Sequence, residues 1–467
     1  MSLGAALAAA GPYRTIEALA AKPARRSGSG VAGASSSAAL PLEQYLFSGT
    51  DAITDNGVLV SVPPLYHEVV TATLQVDATT TGLRSAKATL EGILRELESE
   101  NILTFTPSGL GIAVGWGLPY FTTSALEGVA ATRLPLDLVA PKSGGRHQSA
   151  LLPATAFATD PANVILEEND VVFVMASDSL ANIATAYAAL FEGPGADLFQ
   201  VTSTRMGFVD ATQLGGSGQS LTKQFALANN LPGAESIPDQ AQLFLGFTST
   251  QQAGLGPGTI ANLESLGMTN QTAKSYFGHG TILALSHLYE DLVAWYSNTY
   301  SRRVGLAFRP DIMQGTPDGT LTIAEPDYFQ TPADISNDIA TYQLVGHAGS
   351  MQPVSRLQKS KGGYARGTAV PVRADFNTVD NPFSFSANPS TDNWSATPAA
   401  GVHFLSYVPT SFYFQTLREA MDGQTASNPP SSPFQQFVQA GGISASHRQN
   451  FLVPPRRHRS FPLAELL

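Results

Sequence analysis

Hydrophobic residues along the chain repeat with the two periods that mark strands and helices. Residues 67–76 alternate between apolar and polar side chains, whereas residues 83–97 carry Leu, Ala and Ile at helical spacing. The pattern in the first half predicts, in order, strand 56–62, strand 67–76, helix 83–97, strand 109–116, strand 164–176, helix 179–191 and strand 197–208. From residue 67 onward this order is β–α–β–β–α–β, the split ferredoxin-like unit.

The second half of the chain repeats this order more coarsely. Its predicted elements are strand 281–286, a helix beginning within 287–296, a polar loop at 353–364, strand 401–407 and helix 412–421. Two such units, each burying helices against an antiparallel sheet, predict an α+β fold with two ferredoxin-like lobes. We place the first lobe at residues 46–235 and the second at residues 236–425.

The two ends of the chain differ from the lobes in composition. Residues 1–45 contain small apolar residues and a Gly/Ser/Ala run, which predict a disordered or signal-like tail. Arg25 and Arg26 follow the apolar residues instead of preceding them, so two alternatives stay open: an altered twin-arginine export signal, or the tail of a cytoplasmic protein. Residues 426–467 are rich in Pro and Ser and then basic, and we interpret them as an arm that wraps the body or a partner.

Composition narrows the classes of function. The 467 residues carry a formal net charge of −11 and no long basic stretch before the tail, which argues against nucleic-acid binding. The lack of cysteine excludes disulfides, thiolate-ligated haem and iron–sulfur clusters. No apolar run reaches about 18 residues, so the sequence predicts no transmembrane helix.

Four segments resemble the dye-decolourising (DyP-type) haem peroxidases in order and spacing. They are GLGIAVGWGLPYF (109–121), VVFVMASDSLANIATAYAALF (171–191), HGTILALSHLYEDLVAWY (279–296) and VHFLSYVPTSFYFQTLREAMDG (402–423). The resemblance spans roughly residues 56–425 and implies the two-lobed fold of the DyP-like dimeric α+β barrel superfamily. It also implies haem b as cofactor, hydrogen peroxide as oxidant and a bulky organic donor as substrate.

The resemblance also implies a set of site residues. The family's proximal His falls on His347 in LVGHAGSMQPVSR, and its distal Arg falls on Arg366, 19 residues later. The family's Gly-x-x-Asp-Gly motif matches LFLGFTSTQQ, so its Asp position falls on Ser249, and Phe247 is the expected haem contact beside it.

A second match to the motif leaves one alternative open. The stretch GFVDA, residues 207–211, also reads Gly-x-x-Asp and makes Asp210 a candidate acid. Its glycine lies 73 residues before Gly280, whereas Gly246 lies 34 residues before Gly280. The family's motif precedes that strand by a few tens of residues, which favours Ser249.

Both departures from the family pattern fall where proton transfer is needed. Serine is a weak base, and the region after the last predicted strand, residues 408–411, has no carboxylate to accept the second N–H of the proximal imidazole. Loss of a general base predicts a reaction with peroxide slowed by about 10²–10⁴-fold. Two functions therefore stay open: a DyP-like peroxidase or oxidase, and a haem-binding or haem-free relative acting as a binding or structural protein. Either is compatible with a homo-oligomer.

Overall fold

A computed structural model describes most of the two predicted lobes. The described residues are 51–55, 58–98, 109–210, 218–239, 241–246, 263–307, 313–315, 321–323, 357, 359–364, 370–380, 398–422 and 433–467, with Tyr13, Ile16, Leu19 and residues 42–44 before them. Within this part of the chain, every helix is too short or too polar to cross a membrane.

The first lobe is a ferredoxin-like unit that follows a hairpin. Its elements are β1 (Asp51–Asp55), β2 (Val58–Val62), β3 (Tyr66–Leu74), α1 (Thr80–Leu97), β4 (Gly111–Gly117), α2 (Leu118–Phe121), α3 (Glu127–Arg133), β5 (Ile165–Leu166), β6 (Val171–Ser177), α4 (Leu180–Tyr187), β7 (Phe199–Phe208) and α5 (Leu221–Ala228). Helices α1 and α4 begin at the side chains of Thr79 and Ser179, which accept backbone N–H groups of the first turn. The sheet order is β7–β3–β6–β4.

The second lobe repeats the same topology. Its elements are β8 (Thr281–Glu290), α6 (Leu292–Ser297), α7 (Tyr300–Ala307), β9 (Met313–Gly315), β10 (Leu321–Ile323), β11 (Val372–Arg373), β12 (Phe376–Thr378), β13 (Gly401–Val408), α8 (Ser411–Met421), α9 (Pro433–Gln439) and β14 (Ile443–Val453). β8 lies between β13 and β14, and β13 also pairs with β12. If the four main strands of each lobe are numbered 1 to 4 along the chain, their order in the sheet is 4–1–3–2 in both lobes. These strands are β3, β4, β6 and β7 in the first lobe, and β8, β12, β13 and β14 in the second.

The two sheets join edge to edge, so that these strands close a barrel of eight. β12 meets β7 at Asn377 and Phe208, and β14 meets β4 at Phe451 and Leu452. The helices pack on the outer face of the barrel, and apolar residues of both lobes fill part of its interior: Val69, Val172, Leu283, Leu285, Phe376, Leu405, Tyr407, Phe451 and Val453. The predicted fold class, α+β with two ferredoxin-like lobes, is confirmed.

The predicted strand 164–176 is two strands, β5 and β6, and two elements of the second lobe also differ from the sequence prediction. β8 continues to Glu290 and does not give way to a helix at residue 287, because it pairs with β13 and β14 along its length. β14 lies within the segment that we interpreted as an arm and is the fourth strand of the second lobe, which therefore extends past residue 425. Its buried polar run, SHRQN, hides the apolar alternation by which a strand is found.

The last residues of the chain do lie along the body as an arm. Arg459 forms ion pairs with Glu91 and Glu98 on α1. Phe461 is fully buried, and its ring centroid lies 4.9 Å from that of Trp116 on β4. The basic residues of the tail thus neutralise carboxylates of the first lobe.

Parts of the predicted N-terminal tail are buried where the two lobes join. Tyr13 is fully buried and donates a hydrogen bond to the carbonyl of Met206 on β7 (2.9 Å). Gln44 donates to the carbonyls of Val114 (2.8 Å) and Pro454 (3.0 Å), which bridges β4 and the residue after β14. These positions belong to the folded body, in contrast to the expected disordered tail. Export by this segment stays a prediction.

Gly207 lies on β7 at the join with β12 and is required there. A methyl group at residue 207 would overlap the ring of Phe376 and the carbonyl oxygen of Asn377. We expect Gly207→Ala to destabilise the fold by about 1–3 kcal/mol, measured from the urea midpoint of unfolding. Gly92→Ala is the matched control, because nothing lies near that exposed helical glycine, and it should stabilise by about 0.5–1 kcal/mol. Equal midpoints for the two variants would contradict the close contact.

Candidate functional site

The predicted haem-site residues fall mostly outside the described part of the chain. Phe247, Ser249, His347 and Arg366 all lie there, and their assigned roles stay predictions. Asp210, the alternative acid, is described.

The residues that lead into the predicted motif pack on the first helix of the second lobe. Trp295 Nε1 donates to the carbonyl of Leu245 (2.8 Å), and the hydroxyl of Tyr296 donates to that of Phe244 (2.7 Å). Gly246 has φ +89°, and a side chain there would press on the Tyr296 hydroxyl. The start of the motif is therefore fixed against α6.

Asp210 has an evident structural contact. It is 3% exposed, and its Oδ2 accepts the backbone N–H of Thr222 at 2.9 Å in the first turn of α5. A carboxylate at this position accepts a helix N–H that has no partner within the helix. The positive end of the helix dipole also stabilises its negative charge. A catalytic role for Asp210 stays a prediction.

Seven of the eight histidines lie in the described residues, and each has an identified contact. The contacts are His67 with the Pro64 carbonyl, His147 with the Asp137 carbonyl, His279 with Glu264, His287 with the His403 ring, His403 with Asp380, His447 with Ser446 and His458 with Glu465. The eighth is His347. Four of the seven, on β3, β8, β13 and β14, are at most 5% exposed and enclosed by protein, so no haem can approach them.

Three of these histidines form a row across the second lobe. His403 on β13 and His447 on β14 are the direct cross-strand partners of His287 on β8, with ring centroids 4.3 Å and 6.1 Å from its own. Burial lowers the pKa of both His287 and His403, so these two rings are neutral at pH 7. Among the described residues, no group of three His, Cys, Asp or Glu is placed to hold a metal ion. The row therefore belongs to the core.

Charged residues lie beside this row. Asp380 Oδ2 lies 3.1 Å from His403 Nε2, and its Oδ1 accepts the Tyr13 hydroxyl at 3.2 Å. Arg205 on β7 is 1% exposed and pairs with Glu167. The charge of Arg205 also contributes to the lowered pKa of His287. The barrel interior thus combines an apolar part with a compact polar part.

A different acid–base pair lies at the β11–β12 edge of the second lobe. Arg373 Nε and Asp375 Oδ2 are 3.8 Å apart, and Asp375 Oδ1 accepts the N–H of Leu405 at 3.1 Å. Burial raises the pKa of Asp375 to about 6, although Arg373 and the Leu405 N–H oppose the rise. A carboxyl group that exchanges its proton near neutral pH is a candidate acid–base catalyst. This pair was not predicted from the sequence. Its sequence signal is an Arg-x-Asp triplet next to two short strands.

The pair points away from the barrel interior. Phe376, next to Asp375, stacks on His67 (4.9 Å) and packs against His403 (5.1 Å) inside the barrel. Side chains alternate along a strand, so Asp375 faces the outer side of the second lobe. Phe404 contacts Phe414 of α8 on that same outer side, with ring centroids 6.3 Å apart.

A small pocket opens on the outer side between α8, β8 and β14. Arg448 lines it and donates two hydrogen bonds to Asp160, at 2.9 and 2.6 Å. The guanidinium groups of Arg448 and Arg418 lie 5.0 and 5.1 Å from the ring centroid of Phe157. The pocket has room for little more than one water molecule, so it does not accommodate a haem.

The fold is similar to those of several solved structures. Ferric DtpA from Streptomyces lividans is similar with a TM-score of 0.52 and 14% identity, over 89% of this chain and 96% of that one. The encapsulated DyP-type peroxidase from Mycobacterium smegmatis has a TM-score of 0.49 and 11% identity, over 85% and 95% of the two chains. A dye-decolorizing peroxidase from Bacteroides thetaiotaomicron has a TM-score of 0.47 and 12% identity, over 85% and 95%.

At these identities the likeness shows the fold alone, which is the DyP-type fold. No curated protein matches the sequence. The model of a family of unknown function, DUF7405, matches residues 64–455, which cover both lobes from β3 to the end of β14. The chain therefore belongs to the DUF7405 family and has the fold of the DyP-type peroxidases.

Proposed function

We propose that the protein is a haem-dependent, DyP-like peroxidase or oxidase that uses hydrogen peroxide to oxidise a bulky organic donor. The observation that carries the proposal is the DyP-type barrel of two ferredoxin-like lobes, which the chain shares with ferric DtpA.

The donor set of the chain fits haem b. The resemblance to the DyP-type peroxidases makes His347 the candidate axial ligand, since imidazole suits ferric iron and the chain has no cysteine. Phe247 would contact the ring, and Arg366 would stabilise negative charge on a departing oxygen. Bound haem would supply the redox chemistry of peroxide reduction, with the organic donor as the source of electrons.

The predicted motif has a serine where the family has the aspartate that transfers protons. Ser249 can donate and accept hydrogen bonds but is a weak base. The Oδ2 atom of Asp210 is occupied by the N–H of Thr222 in the described structure. Asp210 remains the alternative acid of the motif.

One observation favours the second function, a haem-binding or haem-free relative that serves as a binding or structural protein. The segment after β13, where a carboxylate would support the proximal imidazole, holds Thr410, whose side chain accepts the N–H of Tyr413 at 3.1 Å. Helix capping accounts for that residue, and no described acid replaces it in residues 408–411. Such a site would bind haem without the electronic support of an anionic ligand.

Absorption spectroscopy separates the two functions. We expect the protein reconstituted with haemin to show a Soret band that His347→Ala abolishes, because the imidazole is the predicted ligand. His147→Ala is the control and should keep the band, since the resemblance gives His147 no role and its ring contacts the Asp137 carbonyl. No Soret band in the wild type would reject the peroxidase. A band without donor turnover above that of free haemin would favour the haem-binding relative.

A further inference from the structure

Two short turns of the described chain are alike in sequence and geometry. Residues 142–146 read KSGGR and form the first basic turn, and residues 359–364 read KSKGGY and form the second. The paired glycines have positive φ in both, 56° and 79° in the first and 59° and 83° in the second. Two backbone hydrogen bonds close each turn, at 3.0 Å between residues 143 and 146 and at 3.0 and 2.9 Å between residues 361 and 364. Both are two-residue hairpin turns, whose shape the glycines fix.

One stretch of chain before β8 supports both turns. Just before the first basic turn, the N–H of Leu138 donates to the carbonyl of Met268 at 2.8 Å. The second basic turn packs closely on Ser265, because a methyl group at Gly362 would overlap the Ser265 carbonyl oxygen. Leu357, at its base, belongs to the same apolar cluster as Met268. Three residues span at most about 11 Å, so the two turns are attached at neighbouring places.

The two turns carry four cations without counter-charges. Lys142 and Arg146 are exposed in the first, and Lys359 and Lys361 are exposed in the second. None of these four side chains has an ion-pair or hydrogen-bond partner among the described residues. The basic residue Arg459 of the tail, by contrast, pairs with carboxylates of α1. On a chain with a net charge of −11, the turns form a local positive patch.

Two exposed aliphatic side chains precede the first basic turn. Leu138 is 42% exposed and Val139 is 58% exposed. Asp137 fixes the backbone beneath them, because its Oδ1 accepts the N–H groups of Val139 and Ala140 at 2.8 and 2.9 Å. Aliphatic side chains beside cations at a surface are typical of segments that enter the boundary between lipid headgroups and acyl chains.

We propose that the two basic turns, with Leu138 and Val139, form a docking surface for an anionic lipid bilayer. The inference does not depend on the proposed function. Each Lys or Arg near an anionic bilayer strengthens binding by about fivefold, so four cations on neighbouring turns act together. Negative charges farther away than about 8–10 Å are screened by salt, so the acidic remainder of the chain opposes docking only weakly.

The shape of the surface favours a bilayer over an acidic peptide. Proteins hold an extended peptide in a groove or along a strand edge. Here the cations lie on two hairpin turns, and a flat bilayer contacts both turns together. The aliphatic pair adds an apolar contact that the interior of the bilayer provides.

Sedimentation of the full chain with vesicles tests the proposal directly. We expect binding to phosphatidylcholine vesicles that contain about one-third phosphatidylserine, and none to vesicles of phosphatidylcholine alone. Salt at 1 M should release the protein, because it shortens the Debye length from about 10 Å at 0.1 M to about 3 Å. If the protein does not sediment with the phosphatidylserine vesicles at 0.1 M salt, the proposal is overturned.

Charge variants locate the binding surface. Two double variants each remove the cations of one turn: Lys142→Gln with Arg146→Gln, and Lys359→Gln with Lys361→Gln. Each should weaken vesicle binding by about 10–30-fold. The control, Arg95→Gln with Arg302→Gln, removes the same charge from exposed positions on α1 and α7 and should change binding by no more than about twofold. Equal losses in all three variants would mean that net charge alone governs binding, and would overturn the assignment. Equal urea midpoints check that the turn variants keep the fold.

Val139→Ser distinguishes a bilayer from an acidic protein partner. It should weaken vesicle binding by about fivefold, because the valine side chain is transferred from water into the bilayer. Binding to soluble polyglutamate, the probe for an acidic protein, should be weaker than binding to the vesicles and unchanged by Val139→Ser. Polyglutamate binding as tight as vesicle binding, together with no effect of Val139→Ser on the vesicles, would identify an acidic protein as the partner and overturn the lipid proposal.

Discussion

Replacement of Arg205 by Met should destabilise the protein by about 3–5 kcal/mol, because it leaves a nearly buried carboxylate without its counter-charge. Arg205 lies on β7 with its side chain 1% exposed, and its partner Glu167 is 11% exposed. Opposite charges removed from water stabilise each other only as a pair, so the loss of one is more damaging than the loss of both. Urea unfolding followed by tryptophan fluorescence measures the change.

Two further variants make this result specific. Glu167→Gln in the Arg205→Met background should recover part of the loss, because the unpaired charge is then absent. Arg95→Met removes an ion pair with Glu91 (3.1 Å) from the surface of α1, where the arginine side chain is 75% exposed. That change should stay within about 0.5 kcal/mol. A similar loss for the surface and the buried arginine would show that burial of the Arg205 pair is unimportant.

Glu290→Gln should stabilise the protein at pH 7 and above, by roughly 3 kcal/mol at pH 7. Glu290 is 2% exposed, its Oε2 has no partner among the described residues, and burial raises its pKa from 4.5 to about 8. The folded state holds this proton while the unfolded state releases it. The stability that the neutral acid provides is therefore complete below pH 4.5 and is lost as the pH rises through about 8. Glutamine keeps the shape of the protonated acid and does not titrate.

Urea midpoints at pH 5, 6, 7 and 8 test the sign of this effect. The advantage of Glu290→Gln over the wild type should grow with pH and nearly vanish at pH 5. Glu235→Gln changes an exposed carboxylate and should show no such trend. A constant difference between Glu290→Gln and the wild type at all four pH values would mean that packing, not the proton, is responsible.

The stability that His67 contributes changes with pH in the opposite direction to that of Glu290. Burial lowers the pKa of His67 from 6.5 to about 4, so its contribution to stability is complete above pH 6.5 and is lost as the pH falls towards 4. The buried glutamate and the buried histidine thus limit stability from the alkaline and the acid side. Both follow from placing titratable groups in parts of the fold that water does not reach.

The step from fold to function depends on very few residues. The DyP-type barrel is shared with a protein only 14% identical, so it carries no information on whether the site is active. Under our proposal His347 decides whether haem binds, and it lies outside the barrel strands that define the fold.

The local periodicity of the sequence predicted the β–α–β–β–α–β order in the first lobe and two strand–helix pairs of it in the second, and the structure has the full order in both lobes. Helix α1 and strands β4 and β7 were predictable because each has one apolar face that a neighbour must cover. β14 was not predictable in this way. Its outer residues, such as Arg448 and Asn450, are buried in polar contacts, so its alternation is not one of apolar and polar residues.

Some residues of the candidate site were predicted from the sequence, and others are found only in the folded structure. The resemblance in sequence points to His347, Arg366, Ser249 and Phe247 as positions along the chain, with Asp210 as the alternative acid. It could not identify Asp375, because a pKa near neutrality arises from burial and from a neighbouring guanidinium, which are properties of the folded protein.

By itself, the sequence determined the fold class, the two-lobed repeat and the absence of cysteine chemistry, because periodicity and composition act locally. Only the tertiary structure decided that β14 completes the second lobe, that Tyr13 and Gln44 lie where the lobes join, and that three histidines form a row inside the barrel. These features depend on contacts between residues far apart in the chain, and single-residue patterns do not record such contacts.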